Sequence, residues 1–203
     1  RTASVHLHDE PRLLQELARW TALFPRATMM SLRDEFDLGP MAPELSAEET
    51  AGLRQAQHRT LHVAQRMSEL VAEMRRRGLV TDIVYTALDH NIQLLVDYLG
   101  GCERIRKTPL PFAYVVHLRR ALVIYCFTLP FALVSTFGWM SLVDVLLLSY
   151  TFFGIEEIGV EIEGPFGYDE NDLPMGDISE TIHRNLYTLA GMSRQERERQ
   201  IGR

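Results

Sequence analysis

From Ala121 to Val143 the chain carries no charged side chain for 23 residues. As a helix such a run would reach ~34 Å, enough to cross a hydrocarbon layer of ~30 Å. A second apolar segment follows from Trp139 to Ile155, interrupted only by Asp144. Gly138-Trp139 is the natural turn between the two, since tryptophan favours the membrane–water boundary. The pair reads as a transmembrane helical hairpin over 111–158. Arg104, Arg106, Lys107, Arg119 and Arg120 cluster at its near end. Positive charge marks the cytoplasmic side, so an even number of crossings leaves both flanking regions in the cytoplasm. Asp144 is expensive at mid-bilayer and is expected near the outer end, where its carboxylate reaches water.

The rest of the chain is less oily. Residues 1–105 read as cytosolic helices. One runs from about Pro11 to Asp34, with Leu13, Leu17, Trp20 and Phe24 at helical spacing, and Pro25 is expected to kink or break it. The loop Leu38-Gly39-Pro40-Met41-Ala42-Pro43 interrupts the pattern. Ser46-Ala47-Glu48-Glu49 has the spacing of a capping box and opens a second helix. That helix is expected to reach Arg77, with a buried stripe of Leu61, Ala64, Met67, Leu70, Val71 and Met74. Thr81-Asp82 opens a third helix, expected to stop at Gly100-Gly101. It has more apolar positions than one buried stripe requires. A bundle core or subunit interface explains most of them; the sharper reading is that residues 81–100 line a pore. Residues 159–203 read as an acidic loop and C-terminal helices, with helix starts at Asp177-Ile178-Ser179-Glu180 and Ser193-Arg194-Gln195-Glu196. An all-α membrane protein follows.

Charge and motif content narrow the function. A net charge of −6 argues against nucleic acid, whose phosphates require a basic face. Cys102 and Cys126, one in a basic linker and one in an apolar run, argue against a disulfide framework or zinc site. The histidines are scattered; His58 and His62 stand one turn apart, but no Glu-x-x-His pair occurs beside the acidic cluster. No phosphate-binding glycine loop or nucleophile–His–Asp arrangement is present, so an enzyme is not expected. Glu156, Glu157, Glu161 and Glu163 stand at the end of the second apolar segment. Asp169, Glu170 and Asp172 follow beyond a Pro165-Phe166-Gly167 turn. Spacing alone favours a solvated acidic turn over a cation site. A membrane-bound metal-dependent hydrolase using Glu156, Glu157 and Asp169, and a non-conducting scaffold, are the alternatives to an ion pathway.

With those residues in view, the chain resembles the bestrophin family, its bacterial members in particular, over about residues 80–190. The motifs are Arg106-Lys107-Thr108-Pro109-Leu110-Pro111-Phe112-Ala113-Tyr114, Ile155-Glu156-Glu157-Ile158-Gly159, Pro165-Phe166-Gly167, Asp172-Leu173-Pro174 and Arg184-Asn185-Leu186. The region before residue 80 fits only loosely. The resemblance implies a homopentameric channel in a lipid bilayer, in bacteria the inner membrane, passing small monovalent ions. The family at large conducts chloride and other anions; some bacterial members conduct cations. It implies a hydrophobic cytosolic aperture at Ile83, 28 residues before Pro111. It also implies a calcium clasp of Asp169 and Asp172 side chains with backbone oxygens near Glu161 and Gly164. Two further membrane helices and the neck they carry would precede residue 1, so the chain is expected to be a fragment. Gly164, where eukaryotic members commonly carry an amide side chain, and Asn171 within the acidic run depart from the calcium-binding pattern.

Overall fold

The computed structural model describes residues 2–7 and 10–192. Among these there are eight α-helices, one 3-10 helix and no strand. The helices are α1 Thr2–His6, α2 Pro11–Arg33, α3 Ala47–Gln55, α4 Arg59–Arg76, α5 Asp82–Lys107, α6 Phe112–Phe137, α7 Met140–Glu163 and α8 Met175–Leu189; the 3-10 helix spans Gly39–Glu44. The chain forms two compact units. One contains Arg1–Arg104 and Pro174–Arg203, the other Ile105–Leu173. The acidic loop groups with the hairpin, and α8 with the first unit.

In the first unit α2 is the central helix and packs against both α4 and α8. Trp20, Leu23, Ala27 and Met30 of α2 are almost completely removed from solvent, as are Val63, Val71 and Met74 of α4. Burial of each large side chain contributes roughly 1.5–3 kcal/mol. This packing explains why Pro25 does not break α2: the helix continues to Arg33, with Phe24 and Ala27 buried on either side of the proline. It ends instead at Asp34, whose φ of 54° is left-handed and whose N–H bonds to the Met30 carbonyl.

The capping box forms as expected. Ser46 Oγ accepts from Glu49 N at 3.1 Å, and Ser46 N donates to Glu49 Oε2 at 2.8 Å. The helix it opens is shorter than expected. Ala56 turns extended, and His58 caps a separate helix, accepting the Leu61 N–H on Nδ1 at 3.5 Å. With that break the stripe also shifts: Leu61 is exposed and Val63 takes the buried position, whereas Ala64, Met67, Leu70, Val71 and Met74 are buried as read.

The helix α5 starts at Thr81-Asp82 as expected but does not stop at Gly100-Gly101. Two glycines cost roughly 2 kcal/mol of helix propensity, and an established helix passes through them. It ends at Lys107, just before Thr108-Pro109, where the residue preceding proline is driven out of the helical region. The last helix begins at Met175, two residues before Asp177, which lies in its first turn. The Ser193-Arg194-Gln195-Glu196 helix start lies outside the described residues.

The second unit is the antiparallel pair α6 and α7. The charge-free run is not one helix: α6 begins earlier, taking in His117, Arg119 and Arg120, and ends at Phe137. Gly138 turns the chain with φ 53°, a value that favours glycine. By length and composition α6 can cross a membrane, and none of its residues is buried. Phe127 and Phe131 are each 72% exposed. Soluble proteins rarely leave so apolar a surface open to water; such a face marks a membrane or protein contact. The other helix, α7, does not satisfy the same criterion, because Asp144, Glu156, Glu157, Glu161 and Glu163 leave only a short apolar centre. Asp144 sits in its second turn, close to the Gly138 bend.

Candidate pore face and acidic loop

The helix α5 has two contrasting sides. Leu88, Ile92 and Leu99 are buried and fix one side against the first unit. At about 100° per residue, Ile83, Ala87, His90, Leu94, Asp97 and Gly101 fall on the opposite side. Of these Ala87, His90 and Asp97 are exposed, Leu94 and Gly101 are half-buried, and Ile83 is 82% exposed. An isoleucine left in water opposite a formed core is the anomaly here. One exposed apolar side chain alone says little, but this one begins a side of α5 that stays exposed or half-buried as far as Gly101.

Hydrogen bonds organise the carboxylates of the second unit. Arg119 of α6 donates through Nε and Nη2 to Glu156 Oε1 of α7, at 2.9 and 2.6 Å. The Glu156 side chain is only 9% exposed. Glu163, the last residue of α7, accepts the Leu110 N–H just before α6 at 2.8 Å. Glu161 accepts from the Asn171 amide at 2.8 Å. These three carboxylates tie the open end of the hairpin together, and the acidic loop to it.

The loop closes on itself. Asp172 Oδ2 accepts the Asp169 N–H at 2.8 Å, Asp172 N donates to Asp169 O at 3.0 Å, and Leu173 N donates to Pro165 O at 3.0 Å. Phe166 is buried beneath the turn. A Cβ on Gly167 would come within 2.6 Å of Asp172 Oδ2, so the carboxylate occupies the space that a side chain would need.

Of the residues implied in a calcium clasp, Asp172 faces inward, Asp169 and Gly164 are exposed, and Glu161 is half-buried. Asp172 Oδ1 is buried without a hydrogen-bond partner, leaving one acceptor for a cation. Calcium requires six to eight oxygens. Asp172 already gives one oxygen to the backbone, and no three His, Cys, Asp or Glu side chains converge as a metal set among the described residues. These residues alone do not fit a calcium ion. Nor does the arrangement expected of a hydrolase form: Glu156 is held by Arg119, while Glu157 and Asp169 are exposed.

The first unit holds two polar clusters that sequence reading missed. Arg19 makes a bidentate pair with Glu49, at 3.0 and 2.7 Å, and also donates to the Glu44 carbonyl at 2.6 Å. Burial pushes the Glu49 carboxyl up, but hydrogen bonds from Arg19 and Ser46 and the Arg19 charge outweigh it, and the carboxyl lies below its ordinary value. The Glu44 carboxylate accepts from Tyr187 and pairs with His183 at 3.2 Å, holding α8 to the end of the 3-10 helix. His183 and Glu44 side chains are 6% and 9% exposed. Their separations in sequence are 139 and 143 residues, and no local spacing rule reaches so far.

The profile of the family described as Bacterial/Fungal Bestrophin protein matches residues 1–188, including the first 80 residues, whose fit from sequence is loose. A voltage-dependent anion channel-forming protein of Nostoc is 38% identical over 179 residues, 88% of this chain and 58% of the relative. A similarly named protein of Synechocystis is 51% identical over 104 residues, 51% of this chain and 34% of the relative. The crystal structure of a bacterial bestrophin homologue from Klebsiella pneumoniae superposes with a TM-score of 0.88 at 30% identity, over 95% of this chain and 72% of that one. The chain thus spans under two thirds of the length of these curated relatives. With the profile matched over nearly its whole length, this chain belongs to the bacterial and fungal bestrophin family.

Proposed function

We propose that this chain is part of a subunit of a homopentameric channel in the bacterial inner membrane. In this reading small monovalent ions pass passively along a central axis, and α1–α5 and α8 stand on the cytoplasmic side. The observation that carries it is the exposure of Ile83 on the side of α5 opposite its buried seam. Five such side chains at one level form an apolar ring. A ring of this kind restricts ion size and opens or closes by wetting and dewetting. The exposed apolar surface of α6 supports the bilayer as partner. The acidic loop acts as a structural clasp that sets the hairpin end through Glu161 and Glu163, with no step assigned to calcium.

The test is recording from the full-length protein in planar bilayers, comparing wild type with Ile83→Ala. Removing three carbons from each of five side chains widens the ring and lessens its dewetting. Conductance should rise or ion preference should change. An unchanged record removes Ile83 from the ion path. Metal-dependent hydrolysis lost in Glu157→Gln would support the enzyme reading instead.

A further inference from the structure

We propose that His90 forms a second ring in the ion path, one that titrates and sets the balance between anions and cations. The proposal rests on the reading of α5 as pore-lining given above. On the side of α5 opposite Leu88, Ile92 and Leu99, His90 follows Ile83 by seven residues and precedes Asp97 by seven. Seven residues are almost two full turns, so all three side chains point the same way at intervals of ~10 Å along the axis. His90 is exposed and makes no hydrogen bond or ion pair among the described residues. Asp97 accepts from Gln93 at 3.0 Å, a bond along the helix.

The order from the start of α5 is therefore apolar, titratable, acidic. The charged groups facing His90 are few. Asp89 stands beside it on the same helix, Asp97 beyond it and Arg104 at the far end; Asp82 before it is paired with Arg75 of α4 at 2.8 Å. The elements packed on α5 meet its other side, through Leu88, Ile92 and Leu99. In a five-fold assembly each His90 also faces four copies of itself.

Histidine changes charge between about pH 5 and 8. With the imidazoles neutral, the path beyond Ile83 presents Asp97 and favours cations. With them protonated, up to five positive charges stand in front of the Asp97 ring and favour anions. Rings of charged side chains select ions in just this manner.

The experiment uses the full-length protein in planar bilayers under a sodium chloride gradient, with reversal potentials read at pH 7.5 and 5.5. Wild type should raise its chloride-to-sodium permeability ratio roughly three- to tenfold on acidification, the range left after salt screening of charges ~10 Å from the ions. His90→Gln should abolish that change, and Asp97→Asn should raise the ratio at both pH values. A wild-type ratio independent of pH, or a His90→Gln channel that still shifts as wild type does, overturns the proposal. Ile83→Ala separates the two ideas: unchanged currents there defeat the pore reading itself, whereas altered currents there, with a His90→Gln channel whose ratio still shifts with pH, defeat only the histidine ring. Should His90→Gln fail to assemble, His90→Cys in a full-length background with every other cysteine, Cys102 and Cys126 included, replaced by serine serves instead. A cationic thiol reagent should then change the current, and no change overturns the proposal.

Discussion

Replacing Arg19 by methionine removes the cation that joins α2 to the start of α3 while keeping much of its apolar stem. Glu49 loses both bidentate bonds, at 3.0 and 2.7 Å, and the Glu44 carbonyl loses a donor at 2.6 Å. The side chains of the pair are 20% and 23% exposed, between a surface and a buried ion pair. A surface pair contributes ~0–1 kcal/mol and breaking a buried one costs ~3–5. With screening by the remaining solvent, Arg19→Met should cost about 2 kcal/mol. The pH dependence gives a second readout. The Glu49 carboxyl lies below its ordinary value in the folded chain, so its contribution is fully present above the unfolded value of about 4.3 and is lost as pH falls through the folded value. In Arg19→Met burial remains without its counterweight, so the acid-side loss should shrink. The assay is thermal unfolding of the full-length protein in detergent at several pH values from 7 to 3.5, in a cycle of Arg19→Met, Glu49→Gln and the double variant. The singles should each lower the transition temperature, and the double should be little worse than either. Strict additivity with an unchanged acid slope would refute the reasoning.

The acidic loop yields two further expectations. Gly167→Ala places a methyl 2.6 Å from Asp172 Oδ2; moving the carboxylate costs the Asp169 N–H bond, about 1–3 kcal/mol. Hydrogen exchange should rise over residues 164–173, and unchanged protection there would show that the loop yields without losing the clasp. Because these residues alone do not fit calcium, adding calcium or a chelator should leave thermal stability and conductance unchanged. Calcium-dependent stabilisation lost in Asp172→Asn would show that other parts of the full-length protein complete a site.

Local chemistry in the sequence was a good guide wherever a short spacing carries the physics. The Ser46–Glu49 capping box, the Thr81-Asp82 start and the Gly138-Trp139 turn formed as read, and a helical hairpin forms about that turn, its second helix running on to Glu163. Readings failed where tertiary packing overrides a local preference. Pro25 sits inside α2 because its neighbours are buried, and Gly100-Gly101 lies inside α5 because the helix is already formed. The break at Ala56–His58 contains no glycine or proline and gives no compositional signal. The bonds of Glu44 to His183 and Tyr187 were illegible for the opposite reason: the residue types are ordinary, and only the fold brings them together. The aperture role proposed for Ile83 comes only from resemblance to the family. Its exposure opposite a buried seam is what gives it physical content.

The most direct measurement is an image of the full-length assembly in detergent or nanodiscs, at a resolution that places side chains. The account predicts five copies around an open axis, with the Ile83, His90 and Asp97 side of α5 turned toward it and Ile83 at a narrow point. An assembly in which that side packs against another element, or in which protein fills the axis throughout, would contradict it.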